Sequence, residues 1–153
     1  MSKVAGIRNK SLDVYPVSPG AAPPSPTLLS TGFATGPGKT LSAIYQPLCS
    51  LDVTVPGPTA KVTITVCSDI ELYVSSANMQ TTIGGNTWTD VVGNNGGYGD
   101  CKLYSRTFQV TGLAAGTYSI VFSANVTFNG GSTGNQTQYN GGPDSIFAMV
   151  SSV

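Results

Sequence analysis

Apolar and polar residues alternate along most of this chain with a period of two, which is the signature of β-strands with one dry face. The longest such run is 118–128, where Tyr118, Ile120, Phe122, Ala124, Val126 and Phe128 fall on one side of an extended ribbon. Ser119, Val121, Ser123, Asn125 and Thr127 fall on the other. A strand cannot cover its own dry face, and no segment carries the apolar stripe of an amphipathic helix, so the cover must be a second sheet.

The same rhythm marks further strands. Leu51, Val53 and Val55 alternate with Asp52 and Thr54, Pro56-Gly57-Pro58 makes a turn, and Ala60, Val62, Ile64 and Val66 alternate with Lys61, Thr63, Thr65 and Cys67. Ser68-Asp69 reads as a break before another strand holding Ile70, Leu72 and Val74. Residues 31–39 read as turn-rich, 40–46 as a strand, 87–92 as a short strand between glycine-rich loops, and 103–110 as a strand. After the glycine- and amide-rich stretch 129–143, the segment 145–153 sets Ile146, Ala148 and Val150 on one side and Phe147 and Met149 on the other. A strand apolar on both faces lies centrally in a sheet or against another subunit, so Phe147 and Met149 are candidate self-association residues. The spacing leaves no room for crossover helices and predicts an all-β, antiparallel Greek-key β-sandwich over residues 31–153, either immunoglobulin-like or jelly-roll.

Residues 1–30 have another character. Pro16, Pro19, Pro23, Pro24 and Pro26 cannot donate to a ladder or continue a helix, so this segment reads as an extended, Pro-rich N-terminal arm. Lys3, Arg8 and Lys10 bring positive charge, and Val4, Ile7, Leu12 and Tyr15 supply apolar anchors, which makes these seven the candidate partner-binding residues. The alternative is a disordered tail.

Composition narrows the function. Only 9% of the 153 residues are charged, against about 25% in an average soluble protein, and the formal net charge is zero. Such a surface has little field to attract nucleic acid or an acidic membrane and little repulsion between copies, so we expect a homo-oligomer, with a trimer favoured, and neither nucleic acid nor membrane as partner. The start of the chain has no apolar run like that of a signal peptide, and no window approaches a membrane span. Histidine is absent, removing the commonest general base and metal ligand, and the acids are scattered apart from Asp69 and Glu71. Gly38-Lys39-Thr40 lacks the upstream glycine, the strand and the helix of a phosphate-binding loop. The three cysteines, Cys49, Cys67 and Cys101, have no metal-site spacing and read as small buried thiols. No enzyme, cofactor or metal is expected. Trp88 and Tyr98, among Asn and Asp residues, fit either a weak glycan surface or, for Trp88, a plug at the core or edge of a sandwich.

Leu113, Gly116 and Tyr118 resemble the tyrosine corner of immunoglobulin-like and fibronectin-type sandwiches, over residues 111–126. That resemblance implies a Greek-key sandwich in which the Tyr118 hydroxyl bonds backbone across the corner; Ile120 stands where antibody domains carry a cysteine of their inter-sheet disulfide. In composition and layout the whole chain resembles bacteriophage capsid decoration or cement proteins, the exterior proteins of virions. What this implies is a non-enzymatic structural protein on the outside of a capsid, docked on the major capsid (coat) protein. Two alternatives stand beside it: a carbohydrate-binding or adhesive module of the fibre type, and a small jelly-roll coat protein.

Overall fold

The computed structural model describes residues 25–72, 75–93, 100–128 and 144–152. Its strands are β1 (Leu28–Gly36), β2 (Gln46–Val55), β3 (Ala60–Leu72), β4 (Ser75–Ile83), β5 (Asn86–Val92), β6 (Asp100–Thr111), β7 (Gly116–Phe128) and β8 (Asp144–Ser152). They form two antiparallel four-stranded sheets, in the orders β1-β8-β3-β6 and β2-β7-β4-β5. No helix occurs among the described residues.

The pairings are nested: β1 with β8, β2 with β7, β3 with β6, and β4 with β5. The chain is therefore one long antiparallel ribbon that doubles back between β4 and β5. Rolling the ribbon sets β8 against β3 and β7 against β4, and the two sheets result. This is the jelly-roll member of the two expected architectures, because the immunoglobulin sandwich has seven or nine strands and a different order. The ribbon doubles back at Gly84 and Gly85, whose φ values of 53° and 81° are those of a two-residue type I′ hairpin.

The core lies between the sheets. Val62, Ile64, Val66, Ile70 and Leu72 of β3 and Ile146, Ala148 and Val150 of β8 meet Ile120, Phe122, Ala124 and Val126 of β7 and Met79 and Ile83 of β4. The two open sides close differently. At the β1/β2 side the backbones approach: Gly36 sits over the Leu48 carbonyl, and a Cβ on Gly32 would touch the Leu51 side chain at 3.1 Å. At the β5/β6 side aromatic rings fill the gap, with Trp88 stacked on Phe108 at a centroid distance of 4.9 Å.

Several elements depart from the sequence expectation. Residues 31–39 are not a turn region, since β1 runs to Gly36; its inward positions are Gly32, Ala34 and Gly36, because there is room only for small residues beside β2. Leu28, Leu29 and Ser30, read as the end of the arm, belong to this strand. Residues 40–45 are not a strand. They lie along β7, where the Val126 amide donates to the Ser42 carbonyl at 2.9 Å and Asn125 Nδ2 to the Ala43 carbonyl at 3.2 Å. Nor does β3 break at Ser68-Asp69. Ser68 keeps the inward phase of Val66 and Ile70, and its hydroxyl donates to Oδ1 of the buried Asp144 at 2.7 Å.

The corner bond is present: the Tyr118 hydroxyl donates to the Ala114 carbonyl at 3.1 Å. A tyrosine corner thus serves in a jelly roll as it does in immunoglobulin-like sandwiches, pinning the connection into β7. Tyr118→Phe should lower stability by about 1 kcal/mol, the net worth of a typical hydrogen bond, read as a lower urea midpoint at unchanged slope. An unchanged midpoint would show that the corner holds without it.

Candidate interaction surface

The outer faces of the two sheets differ. That of β2-β7-β4-β5 is mainly polar, with Val91 of β5 as an exposed apolar side chain in register with Asn78: Asn78 Nδ2 donates to Asn125 Oδ1 at 2.8 Å and to Thr127 Oγ1 at 3.0 Å, and the Thr54 and Thr117 hydroxyls lie 3.4 Å apart. That of β1-β8-β3-β6 carries exposed apolar groups. Phe33, Phe147, Thr65 and Thr107 stand in register across all four strands as one row. Phe33 is 65% exposed and Phe147 44%. In the next row are Thr31, Met149, Thr63 and Gln109, and on the other side of the first row Thr35, Ser145, Cys67 and Ser105. The rows bond along themselves through Thr65 and Thr107, whose hydroxyls are 3.0 Å apart, and through Cys67 Sγ and Ser105 Oγ at 3.4 Å.

Phe147 and Met149 thus take the outward positions of a central strand, β8 lying between β1 and β3. Sequence reasoning missed Phe33, because it stands between small residues in a run read as turns. It also missed Leu28 and Leu29, exposed at the start of β1, and Leu103, exposed on β6. The signal that finds Phe33 is register: it faces Phe147 directly, and aromatic cross-strand pairs are a unit of sheet stabilisation.

The candidate arm residues Lys3, Val4, Ile7, Arg8, Lys10, Leu12 and Tyr15 lie outside the described residues, as does Tyr98 of the candidate glycan surface. Trp88 is half-buried, its ring face stacked against Phe108 at the edge of the core. Below it the Tyr104 hydroxyl donates to Asp90 Oδ2 at 2.8 Å, and Arg106 Nε lies 3.2 Å from the same oxygen. Burial first, and then the bond to Asp90, push the Tyr104 hydroxyl well above the ordinary tyrosine range. These groups form a structural clasp between β5 and β6.

The three cysteines are thiols and form no disulfide, but only Cys49 is buried; Cys67 is half-buried and Cys101 exposed, because both project outward from their strands, contrary to the sequence expectation. Burial, and secondarily the charge of Asp144, push the Cys49 thiol up to about 12, so it stays protonated at neutral pH. The ammonium of Lys39, in the apparent phosphate-loop tripeptide, donates to the Pro47 carbonyl. Among the described residues no three Asp, Glu or Cys side chains gather as a metal cluster. Among them, too, no helix is long and apolar enough to cross a membrane.

No protein-family model matches the chain, and no curated protein matches it. Among solved structures it is similar to a chain in the structure of the infectious bursal disease virus Gt strain, at 14% sequence identity and a TM-score of 0.46. The match covers 82% of this chain and 33% of that one, so the present chain spans about a third of the length of its neighbour.

Proposed function

We propose that the protein is a non-enzymatic structural protein of a virion, which decorates or cements a capsid by docking on coat-protein subunits. The observation that supports this most directly is the outer face of the β1-β8-β3-β6 sheet. Exposed Phe33 and Phe147 stand there among uncharged hydroxyl-bearing side chains, with Leu28 and Leu29 exposed on the same edge strand. A surface low in charge and carrying aromatic groups is suited to being covered by protein. The arm leads in sequence into that strand, so a partner gripped by Val4, Ile7, Leu12 and Tyr15 is guided to the same edge of the domain. Lys3, Arg8 and Lys10 meet acidic groups at the rim. The strand order favours a second reading, that the chain is itself a small coat subunit, since the jelly roll is a fold of capsid shells as well as of lectins and cupins.

Deleting residues 1–25 tests the first reading. The truncated chain should keep its β-rich circular dichroism and its cooperative unfolding, while its occupancy on purified particles falls at least tenfold. Full occupancy by the truncated chain would overturn a docking role for the arm. Closed shells formed by the full chain alone, seen by electron microscopy, would favour the coat-subunit reading.

A further inference from the structure

We propose that two copies of this chain pair face to face through the outer surface of the β1-β8-β3-β6 sheet, about a two-fold axis lying along the row Phe33, Phe147, Thr65, Thr107. This names a second copy, in place of the coat protein, as the occupant of that face and leaves docking to the arm and the β1 edge; it rests on the reading above only in treating the face as one that protein covers.

The charges select the partner and its orientation. Among the described residues, the outward-facing charged side chains of the four strands are Lys61 at one end of β3 and Asp69 and Glu71 at the other, the two acids also having partners within their own chain. Lys61 stands four residues before Thr65 and Asp69 four residues after it, so each lies about 13 Å from the row at the usual rise per residue. Rotation by 180° about an axis along the row reverses the strands and brings the faces together. Lys61 of each copy then meets Asp69 of the other, twice over, and Glu71 adds negative potential at the same end. Phe33 packs over its own counterpart and Phe147 over its own, while Met149 covers the small Ser145 of the second copy. A two-fold axis lying along β3 does the reverse: it sets Lys61 on Lys61 and Asp69 on Asp69, and moves Phe147 over Thr107. Like charges facing each other oppose that arrangement.

An interface of this kind is isologous and closes at two, so the geometry points to dimers where composition alone had suggested trimers. Four strands about 4.8 Å apart and about 30 Å long give a footprint of about 600 Å², of the order of the ~800 Å² per partner in a standard interface.

The test is charge reversal followed by mixing, with the purified full chain in low salt. The wild type should sediment as a dimer. Lys61→Asp alone and Asp69→Lys alone each turn both cross-pairs into repulsions, and each should weaken dimerisation at least tenfold. Mixed together, the two variants should form a heterodimer. The carboxylate introduced at position 61 of one then faces the ammonium introduced at position 69 of the other, and the unchanged Asp69 of the first faces the unchanged Lys61 of the second. Association on mixing also shows that both variants are folded. A wild type that stays monomeric at about 100 μM, single variants that dimerise as well as wild type, or a mixture that stays monomeric would each overturn the proposal. Oligomeric state is read on the chain alone. Failure to bind particles therefore overturns the virion reading and leaves the dimer standing, whereas a monomer that still decorates particles overturns only the dimer.

Discussion

Gly36→Ala should cost the protein about 3 kcal/mol or more, a large share of the 5–15 kcal/mol that holds a typical domain together. Gly36 is the last residue of β1, paired with Asp144 of β8 on one side and pressed against β2 of the opposite sheet on the other. A Cβ placed there lies far inside van der Waals contact distance of the Leu48 carbonyl oxygen, 2.8 Å from its carbon and 3.0 Å from Cys49 Cβ. The obstacle is backbone, so no rotamer change relieves it, and either β1 or β2 must move away. Ordinary overpacking costs about 1–3 kcal/mol where side chains can yield, and here the main obstacle cannot. If β2 moves, it loses register with β7 close to the irregularity already present between Pro47 and Cys49. Gly57→Ala is the control, since a Cβ there meets nothing within 4 Å. Its stability should stay within about 0.5 kcal/mol of wild type in urea. Equal midpoints for the two variants would show that the β1/β2 side is not closed by backbone approach.

Gly36 also shows where the sequence ceases to be legible. The strands whose inward residues are all apolar and mostly large, β7 above all, could be read directly, because a dry face of Ile120, Phe122, Ala124 and Val126 has one explanation. The layered architecture followed, since a sandwich was the only cover available. β1 defied reading because its inward residues are Gly32, Ala34 and Gly36 while its large residue, Phe33, points out. The usual hydrophobic code is inverted there, for a reason of closeness that only the rolled ribbon creates. β4 was hidden similarly, its inward row of Ala77, Met79, Thr81 and Ile83 being too mixed to stand out, although Gly84-Gly85 before a short strand is a hairpin signal. The apparent break at Ser68 was a polar residue satisfied by Asp144, which lies 76 positions away. Of the candidate surface, Phe147 and Met149 could be found by their parity. Phe33 and the opposed charges of Lys61 and Asp69 could not, because a face exists only once four strands are in register.

Phe122→Ala should destabilise the protein by about 3–5 kcal/mol, the range for emptying a buried aromatic site, with Phe122→Leu costing markedly less. Phe122 is fully buried at the middle of β7, between Cys49 of β2 and Thr81 of β4 in its own sheet. Its ring stacks on Tyr104 of β6 in the other sheet at a centroid distance of 6.0 Å and an interplanar angle of 14°. Phe122 thus bridges the layers, and its loss removes both buried area and a ring contact worth about 0.5–1.5 kcal/mol. Tyr104 is held from its far side by Asp90, so it is not free to swing into the space left behind. A cavity that cannot collapse sits at the costly end of the range. Trp88→Ala is the informative comparison, because Trp88 is larger but only half-buried at the edge of the core, with solvent available to fill the gap. Chemical denaturation should rank Phe122→Ala as the more damaging of the two. The opposite ranking would place the stabilising centre of the fold at the β5/β6 clasp instead of beneath β7, and with it the element whose loss opens the roll.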